Sequence, residues 1–176
     1  MKLASMTMMS LLVLSPVTFA VAADGTINFT GSITSSTCKI DGANVAATKT
    51  VALGAVPTAA LSVAGQTAGD QAFSLALTEC NAGTTGVAAR FESLDLATVD
   101  GYLALTSGTG VAENVQIGIY GINGELQPIN GGVPTNGYVN LENGAATLNY
   151  VAAYHATGAA VAGTANSQVS YTLSYQ

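Results

Sequence analysis

Charge is the scarcest property of this chain. Only 8% of its 176 residues are Asp, Glu, Lys or Arg, tryptophan is absent, and there are two cysteines, one histidine and four prolines. Beyond residue 23 the basic side chains are Lys39, Lys49 and Arg90, set against ten acids for a net charge of −7. No basic patch can be assembled from these, so nucleic acid is not a partner. A single histidine, His155, and two cysteines without C-x-x-C or H-x-x-x-H spacing make no zinc ligand set, and no metal or other cofactor is expected. No motif marks a Ser or Cys nucleophile, and an enzyme is not expected.

Long hydrophobic runs are also missing. The apolar stretch around Leu11-Leu12-Val13-Leu14 is shorter than the roughly 20 residues that span a bilayer. Lys2 precedes it and Ala20-Val21-Ala22 follows as a small-x-small cleavage site, with Val21-Ala22-Ala23 as its rival. Residues 1–23 therefore read as a signal peptide, and no membrane span is expected in what remains. Cleavage before Ala23 or Asp24 leaves about 153 residues, one exported domain. Two cysteines in an exported chain imply one disulfide, Cys38 with Cys80, whose loop closure is worth about 4 kcal/mol in the chain-entropy model.

What is present is period-two alternation, the mark of half-buried strands. Phe73, Leu75 and Leu77 alternate up to Cys80, Val51 and Leu53 suggest a shorter strand, and Tyr102–Thr106 another. Val115, Ile117 and Ile119 lead to Asn123-Gly124, a strong hairpin signal. A further strand runs through Leu148, Tyr150 and Ala152. Clusters of Gly, Asn and Thr at Asn81–Gly86, Ser107–Gly110, Asn130–Gly137 and Thr157–Asn166 punctuate the chain. The stretch Ala55–Ala68 holds at most a short helical turn. Many short strands with regular turns predict an all-β, immunoglobulin-like sandwich.

Both ends of the mature chain alternate too. Gly25, Ile27, Phe29, Gly31 and Ile33 share one face of an N-terminal segment, and Val169, Tyr171, Leu173 and Tyr175 share one face of the last. A strand at each terminus suggests a fold that gives one strand away and receives another.

These residues resemble a known family. Gly25-x-Ile27-x-Phe29-x-Gly31-x-Ile33 before Cys38, Phe73–Cys80, Leu103-Ala104-Leu105, Val115-Gln116-Ile117, and Tyr154–Ala160 followed by Gly163 and penultimate Tyr175 are similar, in order, to the major structural pilin of chaperone–usher fimbriae of the type 1 class. The resemblance implies an incomplete sandwich lacking its last strand, completed by donor-strand complementation. It implies three parts: signal peptide 1–23, donor-strand extension 24–35 and pilin domain 36–176. Gly25, Ile27, Phe29, Gly31 and Ile33 would be the donor strand, with Gly31 at a shallow point of the receiving groove. Gly163, Val169, Tyr171, Leu173 and Tyr175 would belong to the strand that borders the groove and meets the chaperone. The implied partners are identical subunits in a polymer, a periplasmic chaperone and an outer-membrane usher. The implied destination is the cell surface, by way of the periplasm. Burying Ile27, Phe29 and Ile33 in a neighbour would contribute roughly 5–9 kcal/mol.

Blander readings stand beside these. His155 reads as an edge or loop residue, and Glu92, Asp95 and Asp100 as solvated charges rather than a hydrolytic carboxylate pair. Asn28-Phe29-Thr30 fits a glycosylation sequon but lies in the donor segment and reads as chance. The alternatives in function are a minor or adaptor pilin, or a secreted monomeric carbohydrate-binding sandwich, which the absence of Trp disfavours.

Overall fold

The computed structural model describes residue 28 and residues 38–42, 48–132 and 137–176. Two compact units divide the chain, Met1–Thr34 and Ser35–Gln176, and every element below belongs to the second. Its strands are β1 (Lys39–Ile40), β2 (Thr67–Thr78), β3 (Gly86–Glu92), β4 (Glu113–Gly121), β5 (Val139–Asn140), β6 (Ala146–Val161) and β7 (Ser170–Tyr175). They form two antiparallel sheets, ordered β1-β2-β6-β4 and β5-β3-β7. The fold is an all-β, immunoglobulin-like sandwich in which β7 lacks a neighbour on one side among the described residues.

β2 and β4 follow the alternation of their sequences. Leu75 and Leu77 point inward from β2, as Ile117 and Ile119 do from β4. β6 lies between them and runs for 16 residues, bringing Leu148, Tyr150, Ala152, Tyr154 and Ala156 into the core. Phe73, Phe91 and Tyr150 join the two sheets, with ring centroids 5.0–6.5 Å apart and the two contacts of Phe91 edge-on. Burial raises the pKa of the Tyr150 phenol, against a smaller opposing effect from its hydrogen bond with the Ala89 backbone.

Several local expectations are corrected. Val51 and Leu53 are half-buried, but residues 48–57 form no strand. Their alternation reports packing of one face without a ladder partner. Tyr102–Thr106 makes only isolated bridges, Leu103 to Ala97 and Leu103 to Ile117. The cluster read as punctuation at Thr157–Asn166 is strand as far as Val161. Asn123-Gly124 does turn the chain, but as part of a three-residue loop: Gly124 N–H donates to Gly121 O and Gly121 N–H to Glu125 O, both at 2.9 Å, and Gly124 is left-handed at φ +79°. The helical turn is a 3-10 turn at Thr58–Leu61 that buries Leu61.

β3 escaped the sequence reading altogether. Gly86 through Ala89 are all buried, so the first half of the strand is wet on neither face, and alternation begins only where half-exposed Arg90 and Glu92 flank buried Phe91. It is nevertheless the centre of its sheet.

Candidate functional site

The site is built on β7. Its neighbour β3 pairs Ala88 with Ser174, Arg90 with Thr172 and Glu92 with Ser170. Gly86 and Gln176 exchange backbone hydrogen bonds in both directions, at 3.0 and 3.1 Å. Antiparallel ladders alternate, so Ser174, Thr172 and Ser170 turn their backbone groups toward β3. The backbone groups of Leu173 and Tyr175 are therefore turned toward the opposite edge. The same residues point their side chains into the sandwich, because a strand changes face at every residue.

Those side chains wall a cavity of about 1050 Å³. Val169, Tyr171, Leu173 and Tyr175 line one side with Phe91. Ile40, Val51 and Leu53 face them, and Leu75, Leu103, Ile117 and Ile119 form an apolar floor. Charged side chains stand at the rim: Lys49, Glu92 and Asp95. An apolar channel beside a strand edge offers backbone pairing and side-chain pockets together, which is the chemistry of strand addition.

The far wall is pinned at several points. Cys38 and Cys80 form a disulfide that ties the start of β1 to the residue after Glu79. The Cys38 N–H donates to the Tyr175 hydroxyl at 3.4 Å, linking β1 to the end of β7. Asp41 accepts from the Ala76 N–H at 3.0 Å and from Lys49 Nζ at 2.8 Å. The Lys49 hydrogen bond, helped by the Ala76 N–H, holds the Asp41 carboxyl below its ordinary value of 3.8, while desolvation works the other way. This contact fastens residues 48–53 against β1 and β2.

The sequence-selected residues are distributed unevenly. Cys38, Val169, Tyr171, Leu173 and Tyr175 line the cavity. Gly163 does not: it lies in the exposed connection between β6 and β7. A Cβ there would clash with the backbone of Gly110, Val111 and Ala112, so its role is close approach to that loop. Gly25, Ile27, Phe29, Gly31 and Ile33 lie outside the described residues, and Asn28 beside them is exposed. Among the described residues no group of three or more His, Cys, Asp or Glu side chains could hold a metal. His155 stacks on Tyr102 with ring centroids 4.1 Å apart and does not line the cavity. Glu92 pairs with Arg90 at 3.1 Å and accepts the Thr172 hydroxyl at 2.9 Å. Sequence reasoning missed Phe91 and the apolar floor residue Leu103 as parts of the site. Leu103 carried a visible signal, its place in Leu103-Ala104-Leu105, whereas Phe91 sits between Arg90 and Glu92 in too short an alternation to stand out.

Comparison with known proteins gives one answer. The model of the family described as fimbrial protein matches residues 27–176. The chain is 38% identical to the major fimbrial subunit SMF-1 of Stenotrophomonas maltophilia, over 89% of this chain and 95% of that one. It is 36% identical to the minor fimbrial subunit HifD of Haemophilus influenzae, over 89% of this chain and 76% of that one. The P pilus rod subunit PapA shares the fold, with a TM-score of 0.60 at 18% identity over 79% of this chain and 99% of that one. The sandwich, the channel beside its last strand and these likenesses agree: the chain belongs to the fimbrial protein family.

Proposed function

We propose that this protein is the repeating structural subunit of an adhesive surface fimbria and that it polymerises by donor-strand exchange. It is not an enzyme; its working chemistry is non-covalent. The observation that carries the reading is the apolar channel walled by Leu173 and Tyr175, whose backbone groups turn away from β3. Residues 24–35 of a neighbouring copy supply the missing strand. Ile27, Phe29 and Ile33 enter the channel, each contributing about 1.5–3 kcal/mol, and Gly31 passes where no Cβ fits.

An unfilled channel of this kind is an aggregation hazard, because it joins an open edge to exposed apolar surface. A periplasmic chaperone that lends a strand until an outer-membrane usher exchanges it would remove the hazard. Signal peptide 1–23, donor extension 24–35 and body 36–176 then follow one another in the order of use. Export frees the donor, and the body receives the next.

The likeness to a minor subunit keeps a second reading in play, that of a low-copy adaptor in the same fibre. Relative abundance in sheared fimbriae separates the two. The main reading is tested by deleting residues 24–35 and, separately, by Gly31→Leu. Both are expected to leave a chaperone-bound monomer and no fibre under the electron microscope. Fibres of normal length from the Gly31→Leu chain would overturn the assignment of the donor.

A further inference from the structure

Two of the largest exposed apolar side chains sit in one loop. Leu94 and Val99 are fully exposed, at 102% and 103% of their reference surface. The loop that presents them is nevertheless held firmly. Asn130 clamps Ser93 from both sides, accepting its N–H at 3.0 Å and donating to its carbonyl at 2.8 Å. The Ser93 hydroxyl accepts the Leu96 N–H at 3.1 Å, closing a turn with Leu94 and Asp95 at its tip. The next turn puts Val99 and Asp100 at its tip. There Gly101 N–H donates to Thr98 O at 3.0 Å, and Tyr102 N–H donates to the Thr98 hydroxyl at 3.0 Å. A rigid loop that offers apolar tips to water loses little entropy when a partner covers them.

Leu94 also lines the mouth of the channel, at its Val169–Ser170 end. Resting on the strand-exchange reading above, we infer that Leu94 and Val99 form the body-to-body contact on which the next copy of this chain sits. The described body begins at Cys38, which touches Tyr175 at the other end of the channel. An open filament needs its donating and receiving ends apart, since two such ends side by side would let a pair of copies close on each other. The donor of the next copy therefore enters at the Leu94 end. Only four residues lie between Ile33 and Cys38, five steps or a reach of about 17 Å at strand spacing, so the body of that copy must lie against the mouth.

The test places photoreactive benzoylphenylalanine at position 94 or 99 in full-length chains assembled into fibres. Fibres are irradiated, reduced and digested with trypsin. Isotope-labelled chains that lack the photoreactive residue are mixed in before assembly, and adducts are expected between position 94 or 99 and the labelled peptide of residues 40–49, which can only come from a second copy. The Val99→Ser variant, which leaves the channel lining untouched, is expected to keep the detergent-stable ladder of strand-exchanged multimers and to lose its long fibres. Adducts confined to residues 24–39 would mean that Leu94 meets only the tether, and adducts to another protein alone would name a different partner; either overturns the inference. So does a Val99→Ser chain with fibres of full length. A missing ladder in the unchanged chain would instead defeat the strand-exchange reading, and this inference with it.

Discussion

β6 and β7 are both amphipathic strands of one sandwich, yet they stand in opposite situations. β6 has β2 on one side and β4 on the other, and its inward residues Leu148, Tyr150 and Ala152 are only 2–5% exposed. β7 has β3 alone among the described strands, and its inward residues Tyr171, Leu173 and Tyr175 are half-buried. The same alternation produces a finished core in one place and an unfinished one in the other. The difference is in the neighbours, not in the strand. It teaches that the stability of this body is stored in β6 and, on the strand-exchange proposal, its capacity for assembly in β7.

That contrast can be broken experimentally. The largest effects should come from the finished side. Leu148→Ala should lower unfolding stability by about 2–5 kcal/mol in urea titrations, whether or not a peptide of residues 24–35 is bound. Replacing both Cys38 and Cys80 with Ala should cost about 4 kcal/mol on the same assay, because the far wall of the channel loses its tie to β2.

On the unfinished side the pattern should reverse. Leu173→Ala should change the stability of the empty body little and weaken binding of the 24–35 peptide by about 1.5–3 kcal/mol, roughly ten- to a hundredfold in Kd by calorimetry. Equal effects of Leu148→Ala and Leu173→Ala on the empty body would erase the distinction between the two strands.

The smallest effects are set by pH. Asp41 has its pKa lowered in the folded state, chiefly by Lys49, so its contribution is present above the ordinary value of 3.8 and is lost as pH falls through the lowered one. Asp41→Asn should therefore cost up to about 1 kcal/mol at neutral pH, as expected of a largely exposed pair, and should flatten the acid limb of a thermal-melt profile. Tyr150 behaves oppositely. Burial raises its pKa, so stability is full below 10 and declines as pH rises beyond it. Tyr150→Phe should soften that alkaline decline.

Much of the body was legible. The strands around Leu75, Ile117, Leu148 and Leu173 announced themselves because each has one wet and one dry face. β3 was silent because Val87, Ala88 and Ala89 are dry on both. Val51 and Leu53 were misleading, since one dry face needs packing but not a ladder. Gly163 was conspicuous, but spacing could not tell a groove residue from one that lets the backbone of Gly110–Ala112 come close.

Sequence alone determined that the chain is all-β, that Cys38 and Cys80 are its two candidates for a disulfide, and that β7 has an apolar face. Side-chain chemistry carries that information directly. Tertiary structure decided that β7 lies at a sheet edge, that β3 is its partner and that Phe91, Leu103 and Ile119 meet Leu173 around one channel. Alternation records the environment above and below a strand. Hydrogen bonding runs sideways through the backbone, which is the same in every residue but proline, so no pattern of side chains states how many neighbours a strand will have.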